Sequence, residues 1–118
     1  MLEGKRILIV EDEPLVAMHL EELLVGHGCH VVGPAYSIAQ AKDLALRETI
    51  DAAVLDLNVN GETSHRVAEI LRSRSVPFAI ATGYGATFGD VEAFGGPVLR
   101  KPYPADRLKA VLTELLGN

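Results

Sequence analysis

The sequence predicts an α/β fold: a doubly wound, five-stranded parallel sheet with helices on both faces. Three observations carry this prediction. Short, almost wholly apolar runs recur along the chain, and such runs read as strands buried on both faces. Segments with apolar residues at helical spacing lie between them. Four of the five runs also stop at a polar or charged residue, as a strand does on reaching the edge of a sheet.

The first run is Arg6-Ile7-Leu8-Ile9-Val10, which ends in Glu11-Asp12-Glu13 ahead of Pro14. Proline is favoured in a first helical turn, and acids there complement the helix dipole, so taken alone these acids need do no more than start a helix. Val16, Leu20, Leu23 and Leu24 then share one helical face, and Gly26 and Gly28 stop the helix. A short second strand, His30-Val31-Val32-Gly33-Pro34, leads to Ser37-Ile38-Ala39-Gln40. This tetrad matches a capping box, and a helix through Ala41, Leu44 and Ala45 follows to about Glu48.

The third strand, Ala52-Ala53-Val54-Leu55, runs into Asp56. By itself Asp56 is equally well an ordinary turn-opening aspartate, because Asn58-Val59-Asn60-Gly61 is turn-rich. A helix carrying Val67, Ile70 and Leu71 comes next, then a fourth strand, Val76-Pro77-Phe78-Ala79-Ile80-Ala81, ending at Thr82. Residues 83–96 hold five glycines, at 83, 85, 89, 95 and 96. Each glycine inside a helix costs roughly 1 kcal/mol against alanine, so a fourth helix there is weak or shortened. That stretch is expected to be mobile and to tighten on activation. Pro97-Val98-Leu99-Arg100 is the fifth strand, ending at Lys101-Pro102. A last helix from about Pro104 carries the stripe Leu108, Val111, Leu112, Leu115 and Leu116, with Gly117 at its end.

The chain of 118 residues is expected to be one domain, 1–118. Apolar residues make up 48% and charged residues 23%, enough for a real core. A net charge of −5 argues against nucleic acid and against an anionic membrane surface. It suits a protein that holds a cation. Cys29 is the single cysteine, and no Cys/His spacing resembles a zinc site, which fits a reducing cytoplasm. No apolar stretch resembles a signal peptide or a membrane span.

Right-handed crossovers put every carboxyl-terminal strand end on one rim, where α/β sheets bind their ligands. Glu11 and Asp12, Asp56, Thr82 and Lys101 end four different strands. Three carboxylates brought together must take up protons or bind a cation. Oxygen donors with room for water suit Mg²⁺. With a cation, a hydroxyl donor and an oxygen nucleophile, these are the parts of phosphoryl transfer. Asp56 would attack a phosphoryl donor, while Glu11, Asp12, Asp56 and the backbone carbonyl of Asn58 hold Mg²⁺.

With those residues in place, the chain resembles the receiver domain of bacterial two-component response regulators over essentially its full length. The acidic pair, Asp56, Thr82 and Lys101-Pro102 fall where that family has them. The resemblance implies a flavodoxin-like sheet of order 2-1-3-4-5 and a histidine kinase or phosphotransfer protein as phosphoryl donor. It also implies a non-enzymatic signalling role, a cis Lys101–Pro102 bond, and a monomer or a dimer formed on phosphorylation. Lys101→Ala would then keep the fold but uncouple phosphate from any conformational change.

Three departures stand out. Val98 occupies the usual aromatic switch position, the loop after Asp56 lacks the common proline, and the fourth helix is glycine-broken. With Phe78-Ala79-Ile80-Ala81-Thr82-Gly83-Tyr84 and Lys101-Pro102-Tyr103, these departures resemble the atypical Phe-Ala-Thr-Gly subgroup of alphaproteobacteria, single-domain receivers paired with HWE-type kinases. Ile80 replaces that subgroup's phenylalanine. Two other readings stay open. An aspartyl phosphohydrolase would need an acid where Asn58 stands, and a pseudo-receiver would not need the full set of acids, hydroxyl and lysine. His19, His27, His30 and His65 are expected at surface or structural positions, Cys29 in the core or at its edge, Tyr84 either beside the site or in a packing or surface role, and Tyr103 as an anchor for the last helix.

Overall fold

The computed structural model describes residues 2–83 and 94–117. Strand β1 (Arg6–Val10) leads to helix α1 (Pro14–Gly26), β2 (His30–Ala35) to α2 (Ile38–Arg47), and β3 (Ala52–Asp56) to a small hairpin. The hairpin comprises β4 (Asn58–Val59) and β5 (Glu62–Thr63), and α3 (His65–Ser73) follows it. Strand β6 (Phe78–Thr82), strand β7 (Val98–Arg100) and helix α4 (Ala105–Leu115) complete the described chain.

The main sheet has the order β2-β1-β3-β6-β7, with every pairing parallel. Counting only its own five strands, this is the flavodoxin-like order 2-1-3-4-5. The expected weak fourth helix, its mobility and Tyr84 fall mainly on residues 84–93, outside the described residues. The turn-rich stretch after Asp56 forms a hairpin: Asn58 pairs with Thr63 and Val59 with Glu62.

Alternation along the strands builds two cores. Leu8, Val10, Ala53, Leu55, Phe78 and Ile80 face α2 and α3, whose Ile38, Ala41, Ala45, Val67, Ala68 and Leu71 cover them. Ile7, Ile9, Ala52, Val54, Ala79, Ala81 and Leu99 face α1 and α4, against Leu20, Leu24, Leu108, Val111 and Leu112. On α1 the expected face turns inward: Leu20 and Leu24 are buried, joined by Ala17, with Leu23 partly buried against them, while Leu15, Met18 and Val25 are exposed. This helix is apolar nearly all round, so composition alone does not choose its inward side.

The helix ends follow the sequence with two adjustments. Pro14 opens α1, yet Glu13 at its N-cap makes no side-chain capping bond. At α2, Ser37 Oγ accepts from the Gln40 N–H at 3.1 Å, but Gln40 Oε1 accepts from the N–H of Tyr36 rather than Ser37, at 3.0 Å. Where the chain returns toward β7, α3 receives it. Phe94 is buried and stacks on His65 with ring centroids 4.3 Å apart, and Arg72 donates to the Phe94 carbonyl while lying over the Phe78 ring. The Gly33–Pro34 and Lys101–Pro102 bonds are cis, and Cys29 is buried, with its Sγ 3.5 Å from the Leu2 carbonyl oxygen.

Candidate functional site

The parallel register delivers β1 and β3 to the same edge: Val10 pairs with Leu55, so Glu11 and Asp56 emerge side by side. One strand further on, Asp56 is level with Ala81, which places Thr82 just beyond it. Thr82 in turn pairs with Arg100, and its carbonyl accepts the Lys101 N–H at 2.7 Å. Four strand ends therefore supply one cluster. Arg100 is exposed, as expected for the residue beside an inward lysine.

Each of Glu11, Asp12 and Asp56 offers a carboxylate oxygen within 4.8 Å of the others. Glu11 is 2% exposed and Asp56 8%. Lys101 Nζ donates to Glu11 Oε1 at 2.6 Å and lies 3.4 Å from Asp56 Oδ2. One ammonium thus bridges two carboxylates and leaves the cluster with surplus negative charge. Glu11 Oε2 also accepts the Glu13 N–H at 3.2 Å, which fixes that carboxylate from both sides.

The protonation equilibria show the strain of this crowding. Burial, followed by the charge of Glu11, pushes the Asp56 carboxyl up from 3.8 to about 7, with Lys101 opposing. Burial also works against the Asp12 carboxylate. The Asn60 N–H bond and the bond with Glu11 outweigh it and hold Asp12 below its ordinary value. For Lys101, burial opposes the ammonium, but Glu11 and Asp56 raise it overall. Tyr103 is drawn into the same field. Burial first, then the charges of Glu11 and Asp56, push its phenol up to about 12. Its surroundings thus include the acids as well as the helix it was expected to anchor.

The donor set fits a hard divalent cation. Three carboxylates converge, one of them half-exposed, and a single lysine does not neutralise them. Thr82 is buried at this edge, and its hydroxyl donates to the Gly83 carbonyl at 3.4 Å rather than to a carboxylate. Asn58 lies in β4 with its side chain exposed.

Two neighbours escaped the sequence reading. Ser64 is fully buried and its Oγ donates to the Asp56 carbonyl at 2.7 Å. Asn60 donates its N–H to Asp12 Oδ2 at 2.8 Å and its Nδ2 to the Tyr36 carbonyl at 3.0 Å. Asn-Gly between strand-forming residues is a hairpin signal, and it was there to be read at Asn60-Gly61. Nothing local in the sequence marks Ser64.

Comparison with known proteins shows the family. The profile of the response regulator receiver domain matches residues 7–113. The chain belongs to the response regulator receiver domain family. It is 42% identical to SdrG from Sphingomonas melonis Fr1, over 98% of this chain and 99% of that one, with a TM-score of 0.85. It is 32% identical over 117 residues to the phyllosphere-induced regulator PhyR of Methylorubrum extorquens, covering 93% of this chain and 43% of that protein. The chain spans less than half the length of the curated relatives it matches. The receiver domain of the sensor histidine kinase PA1611 from Pseudomonas aeruginosa PAO1 is 28% identical, over 98% of this chain and 99% of that one, with a TM-score of 0.85. In that structure a magnesium ion is coordinated in the active-site cleft. SdrG and PhyR fit the atypical alphaproteobacterial subgroup that this receiver resembles. Family membership makes it a receiver domain of two-component signalling. No helix among the described residues is long and apolar enough to cross a membrane.

Proposed function

We propose that Asp56 is the phosphoacceptor of a two-component phosphorelay and that this receiver uses Mg²⁺ to take a phosphoryl group from a kinase phosphohistidine. The observation that carries this reading is the Lys101 ammonium spanning Glu11 and Asp56, with the Asp12 carboxylate converging on the same point. In the transfer, an Asp56 carboxylate oxygen attacks phosphorus. A P–O bond forms as the P–N bond to the donor imidazole breaks, and the imidazole leaves with the electron pair and takes up a proton. Asp56 must be ionised to attack, and its carboxyl near 7 shows that the cation-free site resists this.

Glu11, Asp12, Asp56 and the Asn58 backbone carbonyl would hold the Mg²⁺. When bound, the ion would neutralise Asp56 and the phosphoryl oxygens. Lys101 supplies the second positive charge, to an oxygen of the acyl phosphate. The Thr82 hydroxyl, held by the long bond to Gly83, turns from that carbonyl to donate to the phosphoryl group. Because β7 follows Thr82 in register, the movement is passed to β7 and α4 without an aromatic ring at Val98. The donor is an HWE-type kinase or a phosphotransfer protein in the cytoplasm. Residues 1–118 form one receiver domain, monomeric or dimerising once phosphorylated, with neither nucleic acid nor membrane as its partner.

The test is incubation with labelled acetyl phosphate, with and without Mg²⁺, beside a small phosphate ester. Uptake that saturates near one phosphate per chain, requires Mg²⁺ and disappears in Asp56→Ala supports the proposal. Rapid multiple turnover of the ester would make the protein a phosphohydrolase instead. An absence of uptake from acetyl phosphate, phosphoramidate and a kinase panel would make it a pseudo-receiver.

A further inference from the structure

The segment between Asp56 and α3 is built as a clip. Its two short strands are closed by Asn60 and Gly61, with φ of 53° and 82°. Two successive left-handed residues make the tight turn whose twist suits a two-residue hairpin, and Asn-Gly is the pair that adopts it most easily. Val59 is fully buried among the side chains facing α2 and α3, so the hairpin is packed down.

Both ends of the clip are tied to the acidic cluster. At the base, the Ser64 N–H bonds the Leu57 carbonyl at 3.1 Å, and Ser64 Oγ donates to the Asp56 carbonyl at 2.7 Å. Ser64 stands at the N-cap of α3, where a serine oxygen ordinarily accepts from the first helical turn. It makes no such bond here. The hydroxyl's one proton goes to backbone carbonyls instead, chiefly that of Asp56 and more weakly that of Leu57 at 3.4 Å. At the tip, Asn60 holds Asp12 through its N–H and is held by the Tyr36 carbonyl through its side-chain amide. Asn58 lies between these two ties.

We propose that Ser64 and Asn60 are positioning residues of the Asp56 site, which together fix Asp12 and the Asn58 peptide relative to Asp56. This rests on the phosphoacceptor reading above. Neither residue touches the transferred group. Both act by holding oxygen donors in place before the cation arrives. Partners of this kind typically change metal affinity 10- to 100-fold when lost.

The experiment is isothermal calorimetry of Mg²⁺ binding to the unphosphorylated full chain, paired with the Mg²⁺ dependence of acetyl phosphate labelling. Ser64→Ala removes the base tie. Asn60→Gly keeps the left-handed turn and the N–H to Asp12 but removes the Tyr36 tie, so it remains informative if Ser64→Ala folds poorly. Each variant is expected to weaken Mg²⁺ binding, Ser64→Ala by about tenfold and Asn60→Gly by less, while the labelling rate at saturating Mg²⁺ stays at the wild-type value. General damage to the fold would lower that saturated rate as well. Folded variants with wild-type Mg²⁺ affinity, or a loss confined to the saturated rate, would overturn the positioning roles alone. A wild-type chain that neither binds Mg²⁺ nor takes up phosphate would overturn the phosphoacceptor reading with them.

Discussion

Strands β1 and β3 carry charge at both ends, and the two ends behave oppositely. At the amino-terminal edge, the Arg6 N–H bonds Asp51 Oδ2 at 2.8 Å. Arg6 Nε bonds the Thr49 carbonyl at 2.6 Å, and its Nη2 meets Glu48 at 3.1 Å. Each acid there has its own donor, and the Arg6 and Glu48 side chains are about a third exposed. At the carboxyl-terminal edge one lysine serves two buried acids, and a third acid draws on the hairpin. A part-exposed cluster in which each acid is hydrogen-bonded contributes modestly to stability. A buried, unbalanced one costs stability and persists where it binds something.

The sharpest way to break this contrast is to neutralise an acid at each edge. Asp56→Ala should reduce acetyl phosphate labelling to background. Asp51→Ala should leave labelling unchanged and lower stability by about 1–2 kcal/mol in urea unfolding, through the lost bond to the Arg6 N–H. If both lose labelling, the two edges are not functionally distinct.

Removing the shared cation comes next. Lys101→Ala strands Glu11 without its ammonium and should destabilise the metal-free protein by about 1–3 kcal/mol, a charged hydrogen bond in a half-buried setting. Mg²⁺ should recover most of this loss and bind more tightly than to the wild type, since a competing cation has gone. Unfolding curves in EDTA and in Mg²⁺ would show both effects.

The pH dependence sharpens the contrast further. The folded protein raises the Asp56 carboxyl from 3.8 to about 7, so it favours the protonated form. That contribution is complete below the unfolded value and is lost as pH rises through about 7. Metal-free stability should therefore decline between about pH 4 and pH 7 and level off above. The stabilisation by Mg²⁺ should be larger at pH 8 than at pH 5. In Asp56→Asn this part of the profile should be flat. The smallest effect belongs to the amino-terminal edge, where Arg6→Ala should cost about 1 kcal/mol, independent of Mg²⁺.

The two edges also differed in how plainly the sequence showed them. Glu11, Asp56, Thr82 and Lys101 each terminate an apolar run, so one topological rule places them together. The sheet order and the cis Lys101–Pro102 bond followed from the family resemblance. The hairpin was readable in principle, because Asn60-Gly61 carries the required left-handed preference, yet its four strand residues are too few for a periodic pattern. Ser64 was not readable. Its role depends on meeting a carbonyl eight residues back, inside a core that only the packed helix creates. Tyr103 is similar: its closeness to the acids comes from the path of the chain after Pro102. On α1 periodicity found Leu20 and Leu24, while packing added Ala17 and left Val16 and Leu23 only partly buried.

The most direct test of the central claim is chemical. An acyl phosphate is reduced by borohydride to an alcohol, which leaves homoserine in place of the aspartate that carried it. After incubation with acetyl phosphate and Mg²⁺, peptide mapping should find that conversion at position 56 alone, and none when EDTA replaces Mg²⁺. Conversion at Asp12, phosphate retained on a histidine or on Thr82, or an unmodified Asp56 in a folded, Mg²⁺-loaded chain would contradict the account.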